Sequence, residues 1–81
     1  MDIEKNLMDF IVSEFGAQHP GLSLGPEDNL FKEGIIDSMG ALQLVNHIEQ
    51  TFDLSISDAD ITVANFQSIA AIGKLVRGKL K

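Results

Sequence analysis

Between Gly16 and Ile36 the chain runs twenty-one residues without a hydrophobic period, and this stretch constrains the fold more than any other feature. It holds four of the glycines and both prolines, which disfavours a continuous helix or strand. A connection of this length inside a compact domain is ordinarily either functional or disordered. Disorder throughout is excluded, because Leu22, Leu24, Leu30, Phe31, Ile35 and Ile36 are too apolar to leave in water. The expectation is a long ordered loop, pinned by those side chains across a core that the flanking segments supply. Gly34 provides the turn that lets Ile35 and Ile36 dip inward before Asp37.

The flanking segments read as helices. The first runs from about Asp2 to Phe15, with Ile3, Leu7, Phe10 and Ile11 on one stripe, Asp2 and Glu4 in the first turn, and Gly16 as the stop. The second runs from Ser38 to about Phe52 with Asp37 as N-cap, and Ala41, Leu44, Val45, Ile48 and Phe52 fall within one arc. A connector from Leu54 to Asp60 leads to a brief apolar stretch around Ile61 and Val63. Asn65 caps a last helix from Phe66 to about Lys79, whose core face carries Phe66, Ile69, Ile72, Gly73, Val76 and Leu80. Gly73 on that face admits a close neighbour. No strand signal of any length, internal repeat or low-complexity tract is present. The fold class is therefore all-α: a small four-helix bundle of three main helices and one short helix, with a long ordered loop between the first two. Residues 1–81 form a single domain, near the lower limit of what folds unaided.

Charge narrows the partners. All twelve carboxylates lie in residues 1–60, with only Lys5 and Lys32 beside them, whereas Lys74, Arg77, Lys79 and Lys81 follow with no acid at all. An acidic body argues against nucleic acid, whose binding depends on phosphate contacts, and suits basic partner surfaces. The four cations lie near a helix C-terminus, where the dipole favours them, so they are not read as a binding patch. The chain has no cysteine, which excludes disulfides and thiolate zinc sites. It also has no apolar run of membrane-spanning length, and its acidic, amphipathic N-terminus is unlike a signal peptide. A soluble, cytoplasmic monomer without a membrane span is the expectation.

The run Leu30-Phe31-Lys32-Glu33-Gly34-Ile35-Ile36-Asp37-Ser38-Met39 delivers Ser38 to the first turn of the second helix. A phosphodiester on that hydroxyl would meet free backbone N–H groups and the positive end of the helix dipole. A serine at this position is ordinarily a cap, but Asp37 already offers one. Met39 points away from the core arc, beside Gln43, Asn46, His47 and Gln50, and reads as a partner contact. Ser38 thus reads as a tethering point that holds a cargo.

Catalytic readings fail on spacing. Ser38-Met39-Gly40 matches half of a nucleophile elbow, but Ile36 stands where the other glycine is needed. His47 lies nine residues on, about 13 Å along the helix and on the opposite side, so it cannot act as the base for Ser38. Asp58-Ala59-Asp60 begins like a calcium loop, yet the glycine at the sixth position is missing and Ile69 stands at the twelfth. His19 and His47 lack ligand partners and read as surface histidines. No phosphate-cradling glycine loop is present. The chain reads as non-catalytic, with no catalytic residue and no metal site.

At Ile36-Asp37-Ser38-Met39 the sequence resembles the phosphopantetheine attachment site of the acyl and peptidyl carrier protein family. The resemblance extends through the Leu30–Ile36 approach, Leu44-Val45, Ile48-Glu49, Phe52-Asp53 and Asn65-Phe66-Gln67-Ser68-Ile69, and so covers roughly residues 1–80. It implies that a phosphopantetheinyl transferase, using coenzyme A and magnesium, attaches 4′-phosphopantetheine to Ser38. The terminal thiol then carries an acyl or aminoacyl thioester. Asp37 would cap the helix and help position the transferase's metal and substrate, while Met39, Gln43, Asn46 and His47 would contact partners. Those partners would be the transferase, an acyl- or aminoacyl-adenylate ligase or acyltransferase, and downstream acyl-processing enzymes. Fatty acyl, polyketide, aminoacyl and hydroxyacyl cargoes all remain open.

One departure separates the chain from carriers of primary fatty-acid synthesis, which keep a strongly acidic outer face on the second helix. Here those positions are Gly40, Gln43, Asn46, His47 and Gln50, with Glu49 at the edge. Asp-Ser-Met-Gly instead is similar to the motif of D-alanyl carrier proteins and of discrete carriers loaded by adenylate-forming ligases. The expectation is a stand-alone carrier in a specialised pathway, with a primary fatty-acid synthesis carrier as the alternative. A further alternative is an interaction module that keeps the fold and works unmodified. Gly40 is a poor helix former, costing about 1 kcal/mol against Ala, and is expected to loosen the turn around Ser38.

Overall fold

The computed structural model describes residues 2–19 and 24–80. Four α-helices, α1 (Ile3–Phe15), α2 (Ser38–Phe52), α3 (Val63–Phe66) and α4 (Ile69–Leu80), carry the fold, and no strand occurs among the described residues. Single 3₁₀ turns at Gly16–Gln18 and Asp58–Asp60 follow α1 and precede α3. The all-α bundle of three longer helices and one short helix is as expected.

The core is the meeting of three apolar stripes. Leu7 and Ile11 of α1, Leu44 and Ile48 of α2, and Ile69, Ile72 and Val76 of α4 are wholly buried, with Phe66 of α3 beside them. The stripe on α1 is Ile3, Leu7, Ile11 and Phe15, a strict four-residue ladder. Phe10 lies off that ladder and is half-buried, packed against the edge of α2. Phe52 is likewise half-buried. Leu80 is exposed: Arg77 already sits opposite Glu4 in the first turn of α1, so Leu80 projects beyond the end of its neighbour.

The long segment is an ordered clasp. Leu30 is wholly buried, and its N–H donates to the Gln67 carbonyl at 2.7 Å. Its own carbonyl accepts from Ile35 and Ile36 at 2.9 and 3.2 Å, which folds the chain back on itself. Gly34 makes that reversal at φ 74°, a conformation that a side chain resists. Ile35 and Ile36 are buried, while Leu24 and Phe31 are half-buried against the core. Leu22 falls outside the described residues. The Pro26 carbonyl accepts from Ala70 N–H at 2.9 Å, satisfying one of the first-turn donors that every helix leaves free.

Helix ends differ from expectation in three places. Asp2 stands outside α1 as its cap, accepting from Lys5 N–H at 3.0 Å. Gly16 does not stop α1 by a left-handed turn; at φ −64° it stays right-handed, and the helix tightens into 3₁₀ geometry. The last helix is broken in two. Thr62 caps α3 through Asn65 N–H at 3.1 Å, and Ser68 Oγ accepts from Ala71 N–H at 3.1 Å in the first turn of α4. Asn65 is therefore inside α3 rather than a cap, and its side-chain amide donates to the Asp60 carbonyl at 2.9 Å.

Candidate functional site

Ser38 is seated by anchors on both sides. Ile36, two residues before it, is buried, and so are Gly40 and Ala41 just after it, so the exposed hydroxyl has a fixed base. Asp37 adopts an extended conformation and caps α2, its Oδ1 accepting from Gly40 N–H at 2.8 Å. Capping thus falls to Asp37 and leaves the Ser38 hydroxyl free of that task.

Gly40 does not loosen this turn. A Cβ there would lie 3.2 Å from Ile36 Cβ and 3.3 Å from the Phe15 ring, closer than carbon atoms ordinarily pack. The absent side chain is what lets the end of α1 close against the start of α2. The price in helix propensity is set against a tighter seat for Ser38.

Two grooves flank the site. One, of about 280 Å³, is bounded by Ser38, Phe31, Ala41, Leu42, Ile61, Thr62, Val63 and Phe66, without a charged side chain. The other, of about 350 Å³, lies on the α1 side and includes Asp37, Met39, Gln43 and Glu14.

Of the proposed partner residues, Met39, Gln43 and Asn46 are exposed. His47 is half-buried and is not a free surface histidine. Its ring stacks on Phe10 at 3.9 Å, its Nε2–H donates to Asn6 Oδ1 at 2.9 Å, and Nδ1 lies 3.3 Å from the Thr51 hydroxyl. Burial lowers its pKa below the usual 6.5, against the weaker opposing pull of the Glu14 charge. His47 therefore joins α1 to α2. Leu42 and Val63 were missed by the sequence reading, and both stand exposed beside Ser38. A helical wheel places Leu42 off the core arc, which is the signal that finds it.

A family model describing a phosphopantetheine attachment site matches residues 7–76. The chain belongs to this family of carrier proteins. It is 35% identical over 71 residues to an acyl carrier protein of Aster yellows witches'-broom phytoplasma, covering 86% of this chain and 87% of that one. It is 30% identical over 56 residues to a D-alanyl carrier protein of Lactobacillus delbrueckii subsp. bulgaricus, covering 69% of this chain and 66% of the relative. An aminoacyl carrier protein of Bradyrhizobium diazoefficiens is 25% identical over 80 residues, covering 99% and 89%. The prosthetic group of this carrier is covalently attached 4′-phosphopantetheine. The structure fits such a group: Ser38 is exposed at a helix N-terminus, its hydroxyl is not needed for capping, and an uncharged groove opens beside it. No helix among the described residues is long and apolar enough to cross a membrane.

Proposed function

We propose that this chain is a stand-alone carrier that bears 4′-phosphopantetheine on Ser38 and presents acyl or aminoacyl thioesters to partner enzymes. The observation that carries the assignment is the division of labour at the start of α2, where Asp37 caps the helix and Ser38 stands exposed beside it. In the modification, a P–O bond forms to Ser38 Oγ and the pyrophosphate bond of coenzyme A breaks. Adenosine bisphosphate leaves, and the hydroxyl proton passes to the transferase. The phosphodiester charge then rests at the N-terminal end of α2, where the dipole stabilises it.

The pathway we propose is a specialised one rather than primary fatty-acid synthesis. Support comes from α2, where Gln43, Asn46 and Gln50 are exposed and uncharged, and from relatives named for D-alanyl and aminoacyl carriage. Loading by an adenylate-forming ligase fits this reading. Efficient charging of the holo protein by a fatty-acid-pathway acyltransferase would overturn it. A cytoplasmic monomer is the proposed working form.

Intact mass before and after incubation with coenzyme A, magnesium and a broad-specificity phosphopantetheinyl transferase tests the central assignment. The parent gains one phosphopantetheine and Ser38→Ala gains none. Failure of the folded parent to gain it would instead leave an unmodified interaction module, in which Ser38→Ala is silent.

A further inference from the structure

The chain contains no cysteine, so the sulfur chemistry of its own side chains belongs to Met1, Met8 and Met39. Met1 lies outside the described residues. Met8 is half-buried and packs against the core, which limits the approach of any reagent. Met39 stands at the opposite extreme. It is 67% exposed, more than any other large apolar side chain among the described residues.

A single exposed methionine is ordinary on a protein surface, and its place decides what it can do. Met39 directly follows Ser38 in the first turn of α2, and both are exposed. It borders the groove of about 350 Å³ on the α1 side, together with Asp37 and Gln43. An enzyme that reacts with the Ser38 hydroxyl must bring its own surface to Oγ, and it then covers residue 39 as well. The flexible thioether suits such a contact while it is apolar.

That thioether is also open to reversible two-electron oxidation. Its Sδ lone pair attacks a peroxide, the O–O bond breaks, an S–O bond forms and water leaves. Sulfur is oxidised by two electrons, the peroxide is reduced by two, and the protein neither gains nor loses a proton. The product is a polar sulfoxide, whose oxygen must shed water before an apolar contact can bury it. Gln43, four residues on in α2, carries an amide N–H that can hold the new oxygen on the carrier's own surface.

We infer that Met39 is a redox-sensitive modification site: peroxide converts it to the sulfoxide, and the sulfoxide hinders enzymes at Ser38 until it is reduced. The inference rests on Ser38 being the attachment site.

The test treats the full-length apo protein with graded hydrogen peroxide, so that the three thioethers are the oxidisable sulfurs present. The peroxide is removed by catalase and gel filtration, and peptide mass mapping follows each methionine. Carrier KM is then measured with coenzyme A and a broad-specificity phosphopantetheinyl transferase, before and after treatment, for the parent, Met39→Leu and Met8→Leu. Helicity and Tm are recorded for every sample. Met39 is expected to oxidise before Met8, and treatment to raise the parent KM about fivefold or more with helicity kept. Met8→Leu shows the same rise, whereas Met39→Leu has one KM before and after treatment, whatever its own value. A methionine sulfoxide reductase with a thiol reductant, which removes the oxygen as water, restores the parent KM. Oxidation of Met8 ahead of Met39 would overturn the inference. So would a treated parent whose KM stays within about twofold of the untreated value with Met39 fully oxidised, or an equal rise in Met39→Leu. Absence of product on the untreated parent would be a separate failure, which removes the attachment site and this inference with it.

Discussion

Asp37 caps α2, and the proposed function would give it a second task, transferase recognition, separable from the first by one atom. As a cap it needs only an oxygen acceptor for Gly40 N–H, and asparagine supplies that as well as aspartate does. As a recognition element for a metal-dependent transferase it needs a charge. Asp37→Asn is therefore expected to keep the parent Tm and to raise the transferase KM. Asp37→Ala loses both, with a cap cost of about 1 kcal/mol that lowers Tm by roughly 4–8 °C in a domain of this size. Equal modification of parent and Asp37→Asn would show that the charge has no part in recognition. His47 gives a second prediction at this scale. The faces around it come from α1 (Asn6, Phe10, Glu14) and its own helix (Thr51), and its folded pKa lies below 6.5 because burial disfavours the imidazolium. As pH falls through 6.5 the unfolded chain therefore takes up this proton before the folded one does. Stability contributed by His47 is full above that pH, declines as pH drops toward the folded pKa and levels off below it. Tm measured from about pH 7.5 to 5 declines in the parent and less so in His47→Gln; identical slopes would remove His47 as the cause.

Helices α2 and α4 each contain a buried glycine, and the same substitution should act in opposite directions in the two. At Gly73 a new Cβ meets Glu4 Oε2 at 2.6 Å, but that atom is the tip of a flexible side chain which can swing into water. The loss is the solvent-screened Glu4–Arg77 pair, worth little at the surface, against a gain of about 1 kcal/mol in helix propensity. Gly73→Ala is expected to leave Tm unchanged or slightly higher, and to make Arg77→Ala silent in that background. At Gly40 the neighbours are Ile36 and Phe15, both buried and unable to move freely, so Gly40→Ala lowers Tm and disturbs the seat of Ser38. A rise in Tm for Gly40→Ala would mean that the α1–α2 contact is softer than its geometry implies. What was legible in the sequence follows the same logic of local against distant causes. The stripes on α1 and α2, the Asp37 cap and the inward turn of Ile35 and Ile36 are set by neighbours a few residues apart, and they were readable. The break between α3 and α4 was not, because Phe66 and Ile69 keep helical spacing straight through the bend at Gln67 and Ser68. That bend is held by the distant Leu30 N–H on the Gln67 carbonyl. That Leu42 and Val63 stand uncovered beside Ser38 is a product of folding, whereas the motif by itself singles out Ser38 and Asp37 as candidates.

On the scale of the whole molecule, the basic last helix acts as an internal counterion for an acidic body. Glu4 of α1 pairs with Arg77, and Asp60 before α3 pairs with Lys79, so two cross-element contacts tie α4 to the rest. The Arg77 guanidinium holds the Glu4 carboxyl below its usual 4.5, and the Lys79 ammonium does the same for Asp60 below 3.8. Both groups keep their contribution above those unfolded values and lose it as pH falls through the lower folded ones. These pairs are short-ranged and lie at the surface, where each is worth little. The remaining acids outnumber the cations near them, leaving a net charge of −6 on a body only 35 × 25 × 20 Å across. At low ionic strength the Debye length of about 30 Å spans that whole body, so every carboxylate feels the others; at about 0.15 M it shrinks to roughly 8 Å. Salt therefore weakens many long-range repulsions and, among the described residues, two short attractions between elements. Tm at neutral pH is expected to rise from about 0.01 M to 0.15 M NaCl and to rise further with a divalent cation. Lys79→Met removes one internal counterion, so its deficit in Tm should be largest at low salt and shrink as salt is added. A Tm that stays flat or falls with salt would mean that the local pairs outweigh the repulsion, and the acidic surface would then be a matter of solubility and partner steering alone.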